Sequence, residues 1–186
     1  MLISPVIIGI IVAALVLLWL IAVFNGLVAL RNRVQNAWAQ IDVQLKRRHD
    51  LIPNLVETVR GYMQHERSVF DAVTEARAQA IVAGSNIPVR TAAESALSGA
   101  LGKLFAVAEN YPQLLAVENF QILQEELTST ENRIAYARQC YNDEVMKYNT
   151  TQSTFPRNLF ATLLGFSPAS MFAGMDADRA EVQVRL

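Results

Sequence analysis

The chain begins with an unbroken apolar run and then changes to apolar and polar positions alternating every three or four residues. Pro5 to Phe24 reads PVIIGIIVAALVLLWLIAVF, and no charged side chain occurs before Arg31. A helix of about twenty residues reaches about 30 Å, the thickness of a bilayer's hydrocarbon core, so this run is expected to span a membrane. A cleaved secretory signal is the competing reading. It calls for a basic start, a shorter apolar run and a small-x-small cleavage site. No Lys or Arg precedes this run, and Ala22-Val23-Phe24 is a poor cleavage site, so a retained anchor is expected. Trp19 and Phe24 suit a position near one membrane interface, though an aromatic in an apolar helix is usually just apolar, and Gly9/Ala13 and Ala22/Gly26 are pairs that permit close helix approach but are common by chance.

Beyond the run, Leu27, Leu30, Val34, Ala37 or Trp38, Ile41 and Leu45 form a stripe along one helical face. The anchor is therefore expected to continue as a helix to about residue 48. Asp50 and Pro53 interrupt it, as a tight turn or a kink. A second helix, striped by Ile52, Leu55, Val59, Tyr62, Val69, Val73 and Ala80, is expected from residues 50–53 to about Ala83. Gly84-Ser85-Asn86-Ile87-Pro88 is the clearest loop. A third helix is expected over 89–108, with Leu97, Ala100, Leu101, Leu104, Phe105 and Ala108 on one side. Asn110-Tyr111-Pro112 separates it from a fourth over 112–149, striped by Ala116, Phe120, Leu123, Leu127, Thr130, Ile134, Ala137, Tyr141, Val145 and Tyr148. So long a three-four pattern is that of a helix bundle or coiled coil. Phe155-Pro156 ends it, a short helix over 157–164 stops at Gly165, and Val182, Val184 and Leu186 alternate in the tail as an extended segment would. The organisation expected is an anchor over 1–26, a helical bundle domain over 27–155 and a C-terminal tail over 156–186.

Charge fixes an expected orientation. The formal net charge is −1, which does not favour nucleic acid as a partner. The basic residues Arg31, Arg33, Lys46, Arg47 and Arg48 follow the apolar run and none precedes it. Lys and Arg are retained on the cytoplasmic side, so the N-terminus is expected outside and the C-terminal domain in the cytoplasm. The single cysteine, Cys140, permits no intrachain disulfide and reads as a small apolar side chain in a helix.

Searches for chemistry fail one by one. His65-Glu66-Arg67-Ser68-Val69 starts like a zinc-protease helix but has Val69 where the second histidine belongs. His49, His65 and Cys140 leave a His/Cys zinc site few possible ligands, while carboxylate-rich sites stay open. Glu125, Glu126 and Glu131 lack the E-x-x-H partner pattern of a di-iron bundle. Gly102-Lys103 lacks the first glycine and the hydroxyl residue of a phosphate loop, since Leu97 and Leu104 stand there. No G-x-S-x-G is present, and Asn149-Thr150-Thr151 fits a glycosylation acceptor, a triplet that is common by chance. The polar residues set among the packing stripes are Arg31, Asn32, Asn36, Asp42 and Gln44 on the first helix. On the fourth they are Asn119, Gln124, Glu125, Glu131, Asn132, Arg133, Arg138 and Asn142. They read as a solvated face with some bridges, or as a network that fixes helix register or meets a partner.

RNRVQNAWAQIDVQLKRRHDLIPNLVETVRGYMQHE (31–66), VTEARA (73–78), NFQILQEELTSTENRIAYARQCYNDEVMKYNT (119–150), Phe155-Pro156 and Gly165-Phe166 together resemble the LemA family of bacterial membrane proteins. The resemblance covers essentially the whole chain. It implies an all-α fold, with the N-terminal transmembrane helix continuing into an antiparallel bundle of about four long helices. It implies no established enzymatic activity, and no cofactor is expected. Genes of the family often neighbour those of membrane-bound zinc proteases, which implies by association a role in membrane protein quality control.

The expectation is a scaffold or adaptor in the bacterial inner membrane. It has no catalytic, cofactor-binding or metal-binding residue, and it acts through protein–protein interaction or assembly with copies of itself. A membrane-bound zinc protease is a candidate partner. The alternatives are a membrane-shaping or lipid-sensing protein, with Arg31 and Arg33 best placed for headgroups, and an unrecognised hydrolase.

Overall fold

A computed structural model describes residues 5–84 and 86–172. Helix α1 runs from Pro5 to Arg60, α2 from Arg67 to Val82, α3 from Ile87 to Ala108, α4 from Pro112 to Leu115, α5 from Glu118 to Ser153 and α6 from Arg157 to Leu163. Among the described residues there is no strand. The alternation in the tail (Val182, Val184, Leu186) and Ser85 of the loop lie outside the described residues. The chain divides into two compact units. One contains α1 up to Ala39 with Cys140–Ser170. The other contains Gln40–Gln139 with Met171 and Phe172.

No turn separates two helices at Asp50–Pro53. α1 passes through Pro53 and ends only at Arg60, where the amides of Tyr62 and Met63 both bond the Val59 carbonyl at 3.0 Å. Proline removes the N–H that would bond the carbonyl four residues earlier, which is that of His49. Arg77 of α2 supplies the missing donor: its Nε bonds the His49 carbonyl at 2.7 Å. The second helix of this region is accordingly α2, starting at Arg67. Tyr62, placed on the stripe by periodicity, is exposed in the turn, and Met63 is buried instead.

α2 and α3 pack against each other. Between them Gly84 adopts φ +63, and the Asn86 side chain caps α3 by accepting from the Val89 amide at 3.4 Å. The core of this unit combines Ile52, Leu55 and Val59 of α1, Val73 and Ala80 of α2, Leu97 and Leu104 of α3, and Phe120 and Leu127 of α5. The fourth expected helix is divided. α4 is a single turn after Pro112, and the chain resumes as α5 at Glu118, with Gln121 Nε2 bonding the Leu115 carbonyl at 2.7 Å. Ala116, read as part of the stripe, is exposed in that junction.

In the other unit Val23, Leu27, Val34 and Ala37 of α1 are buried, as are Tyr141, Val145 and Tyr148 of α5. Trp38 meets Tyr141 edge to face, with ring centroids 5.3 Å apart. α6 ends as its sequence predicts. Gly165 takes φ +76, its amide bonds the Thr162 carbonyl at 3.2 Å, and the Phe166 amide bonds the Ala161 carbonyl at 2.9 Å. That pair of bonds is a Schellman closure, which needs a left-handed residue where the glycine stands. The following segment to Ser170 is held by side chains of α5. Gln152 Nε2 donates to the Phe166 carbonyl, Tyr148 Oη to Ser167 and Tyr141 Oη to Ser170. Asn149 both donates to the Ala169 carbonyl and accepts from its amide, each at 2.9 Å.

Candidate functional site

Two surfaces and one buried cluster carry the molecule's unusual chemistry. The first surface is the start of α1. Val6, Ile10, Leu15 and Leu18 are each more than half exposed, and this helix is long and apolar enough to cross a membrane. A row of exposed branched apolar side chains is unfavourable in water and favourable in hydrocarbon.

The buried cluster is centred on Arg48, only 1% exposed, and Glu94, 4% exposed. Arg48 Nη2 pairs with the Glu94 carboxylate, while Nη1 donates to Glu131 Oε2 at 2.6 Å and to Ser98 Oγ at 2.7 Å. Ser98 Oγ donates in turn to Glu131 Oε1 at 3.1 Å. His49 Nε2 lies 3.1 Å from Glu94 Oε1. α1, α3 and α5 thus meet on one guanidinium. Burial opposes ionisation of Glu94, but the hydrogen bond to His49 and the charge and hydrogen bonds of Arg48 outweigh it. Its carboxyl is held below the ordinary value of 4.5. Around this core lie two more ion pairs, Arg90 with Asp42 at 2.7 Å and Arg47 with Glu126.

Glu94 is not among the residues that the sequence marks, and Arg48 stands there in a basic run with Lys46 and Arg47. A signal was present. Ile41, Leu45, Arg48, Ile52 and Leu55 follow one another at four, three, four and three residues, so Arg48 stands on the buried stripe itself. On α3, Thr91, Glu94, Leu97, Leu101 and Leu104 follow at three, three, four and three residues, so Glu94 also stands on a buried stripe. A charge on a packing stripe predicts a buried partner.

The second surface is an open groove of about 930 Å³ between the Gln40–Gln44 stretch of α1 and the Gln121–Ala137 stretch of α5. It gathers five of the polar residues set among the packing stripes: Gln44, Gln124, Glu125, Asn132 and Arg133. Glu131 and Asp42 instead join internal ion pairs, and Arg31, Asn32, Asn36 and Asn119 are exposed. Arg138 stacks over the Phe172 ring at 4.7 Å. His65 is exposed in the turn before α2, and Cys140 is half-buried on α5. Among the described residues no group of three or more His, Cys, Asp or Glu side chains is arranged to hold a metal ion.

An apolar N-terminal helix joined to an all-helical bundle defines a class of membrane-associated helical proteins. The chain matches the LemA family over residues 37–186 and belongs to it. It is 26% identical over 174 residues to magnetosome protein MamQ 2 of Paramagnetospirillum magneticum, and 24% identical over 174 residues to magnetosome protein MamQ of Magnetospirillum gryphiswaldense. Each alignment covers 80% of this chain, which spans 64% of the length of those relatives. It is also 26% identical over 162 residues to protein LemA of Metamycoplasma hominis, covering 85% of this chain and 72% of that one. These names indicate no catalytic activity.

Proposed function

We propose that this protein is a membrane-anchored helical scaffold or adaptor that performs no catalysis itself and acts by binding other proteins or copies of itself at the bacterial inner membrane. The observation that carries this reading is that α1 bears both the apolar span and, at Arg48, the centre of the buried ion cluster. The strongest electrostatic chemistry of the described residues is spent on fixing helix register. The surface left over is an amide-rich groove suited to contact with another protein. The basic residues Arg31 and Arg33 follow the span and support a cytoplasmic bundle. A membrane-bound zinc protease is the partner class that the family resemblance suggests, in membrane protein quality control.

The test uses full-length protein tagged at Leu186 and gently solubilised from its own membrane. A uniform assembly of this chain alone supports self-assembly, and a small particle carrying one other membrane protein supports the adaptor reading. Monomeric protein with no companion, or hydrolytic activity that survives purification, overturns the proposal. A reporter at Leu186 that is active only after export tests the orientation, and its activity overturns it.

A further inference from the structure

We infer that α6 is a second membrane contact, a short helix lying in the headgroup–acyl boundary of the leaflet from which α1 emerges. This rests on reading Pro5–Phe24 as a span. Two ring contacts set the depth of α6 along α1: Phe160 meets Trp19 edge to face at 5.4 Å between centroids, and Phe166 meets Phe24 likewise at 5.8 Å. Trp19 is five residues inside the end of the span, so α6 reaches about 7–8 Å below that end at 1.5 Å per residue. That is the depth at which interfacial helices bury their apolar faces, about 5–10 Å.

The apolar positions of α6 agree with its depth, and the exposed Arg157 at its first position is long enough to reach headgroups. Leu163 is 81% exposed, Leu159 61%, and Phe155 just before the helix 75%. Leu159 and Leu163 are four residues apart and share a face, beside Phe160. Asn158 and Thr162, also four apart, share the neighbouring polar face, where the Thr162 hydroxyl bonds the Asn158 carbonyl. Phe160, beside the leucine face, touches Trp19 of the exposed apolar stretch of α1, which puts both helices within reach of one lipid phase. A soluble helix of seven residues with two leucines this exposed gains nothing from water.

The experiment uses the full chain with Cys140→Ala, reconstituted into phosphatidylethanolamine–phosphatidylglycerol vesicles. Single cysteines are introduced as Leu163→Cys, Asn158→Cys and Val12→Cys and labelled with an environment-sensitive fluorophore. All three positions are exposed, so the label displaces no packing. Lipids spin-labelled near the carbonyl end of the acyl chain should quench the Leu163 label several-fold more than the Asn158 label. Lipids labelled at the chain terminus should quench the Val12 label. A quenched Val12 label beside an unquenched Leu163 label overturns the inference and leaves the anchor intact. That holds whether the Leu163 label reports water or, by a blue shift, a covering protein surface. An unquenched Val12 label removes the span, and the inference with it.

Discussion

Between Val6 and Ala22 the side chains of α1 are apolar and, Leu20 apart, exposed. Between Ile41 and Val59 the same helix buries its apolar stripe and, within it, Arg48 and His49. The first stretch has apolar groups where a water-soluble helix has polar ones. The second has charge where a core has apolar groups. Each is favourable only with a particular surrounding: hydrocarbon for the first, opposite charge for the second. Hydrophobicity alone therefore does not say which part of a helix is the core, since the most apolar stretch here is the least buried.

The largest effect should come from removing the charge that surrounds Arg48. Glu94→Ala leaves the guanidinium buried without its main partner and should destabilise the bundle by about 3–5 kcal/mol, measured by urea unfolding in nanodiscs. Arg48→Met with Glu94→Leu should recover most of that loss. If the double variant is as unstable as the single, the loss does not come from an unpaired buried guanidinium.

Leu45→Ala and Leu15→Ala compare the two stretches directly. The first empties a fully buried site and should cost about 2–5 kcal/mol, while the second removes an exposed side chain and should stay within about 0.5 kcal/mol. Equal costs would mean that the N-terminal stretch is packed by protein.

Acid should act on the second stretch only. Because the Glu94 carboxyl is held below its ordinary 4.5, the unfolded chain binds the proton more readily than the fold does. The stability it contributes is fully present above that ordinary value and is lost as pH falls through the lower folded value. Glu94→Gln should flatten this acid limb in a pH series of thermal unfolding.

A smaller effect tests the path of α1 through Pro53. Arg77→Ala orphans the His49 carbonyl and should cost about 1–3 kcal/mol. In a Pro53→Ala background a backbone N–H can take that carbonyl, so the cost of Arg77→Ala should shrink, with a coupling of about 1 kcal/mol in a double-mutant cycle. Smallest of all, Glu126→Ala removes the pair with Arg47, both partners being almost half exposed. It should change stability by about 0–1 kcal/mol and less at high salt.

The sequence was legible wherever one helix face decides the outcome. Leu27, Val34, Ile41 and Leu45 are buried as their spacing implies, and the Gly165 stop is where a left-handed residue was called for. It was misleading where a distant residue decides. Nothing local to Pro53 shows that Arg77 will satisfy the carbonyl it frees. Nothing local to Ala116 shows that the helix restarts at Glu118. The cluster around Arg48 was hidden for the same reason: its run, Lys46-Arg47-Arg48-His49, reads as a solvent face until the position of Arg48 on the stripe is weighed against its charge.

The Phe166–Ser170 segment is, in binding terms, a tethered peptide ligand. Its backbone is read by Tyr141, Tyr148, Asn149 and Gln152 as a receptor groove reads an extended peptide. A short tether typically supplies an effective concentration of about millimolar. A free peptide of the same sequence should therefore exchange onto that face of α5 only at comparable concentrations. Weakening the tethered copy would free these side chains of α5 to bind the backbone of another segment.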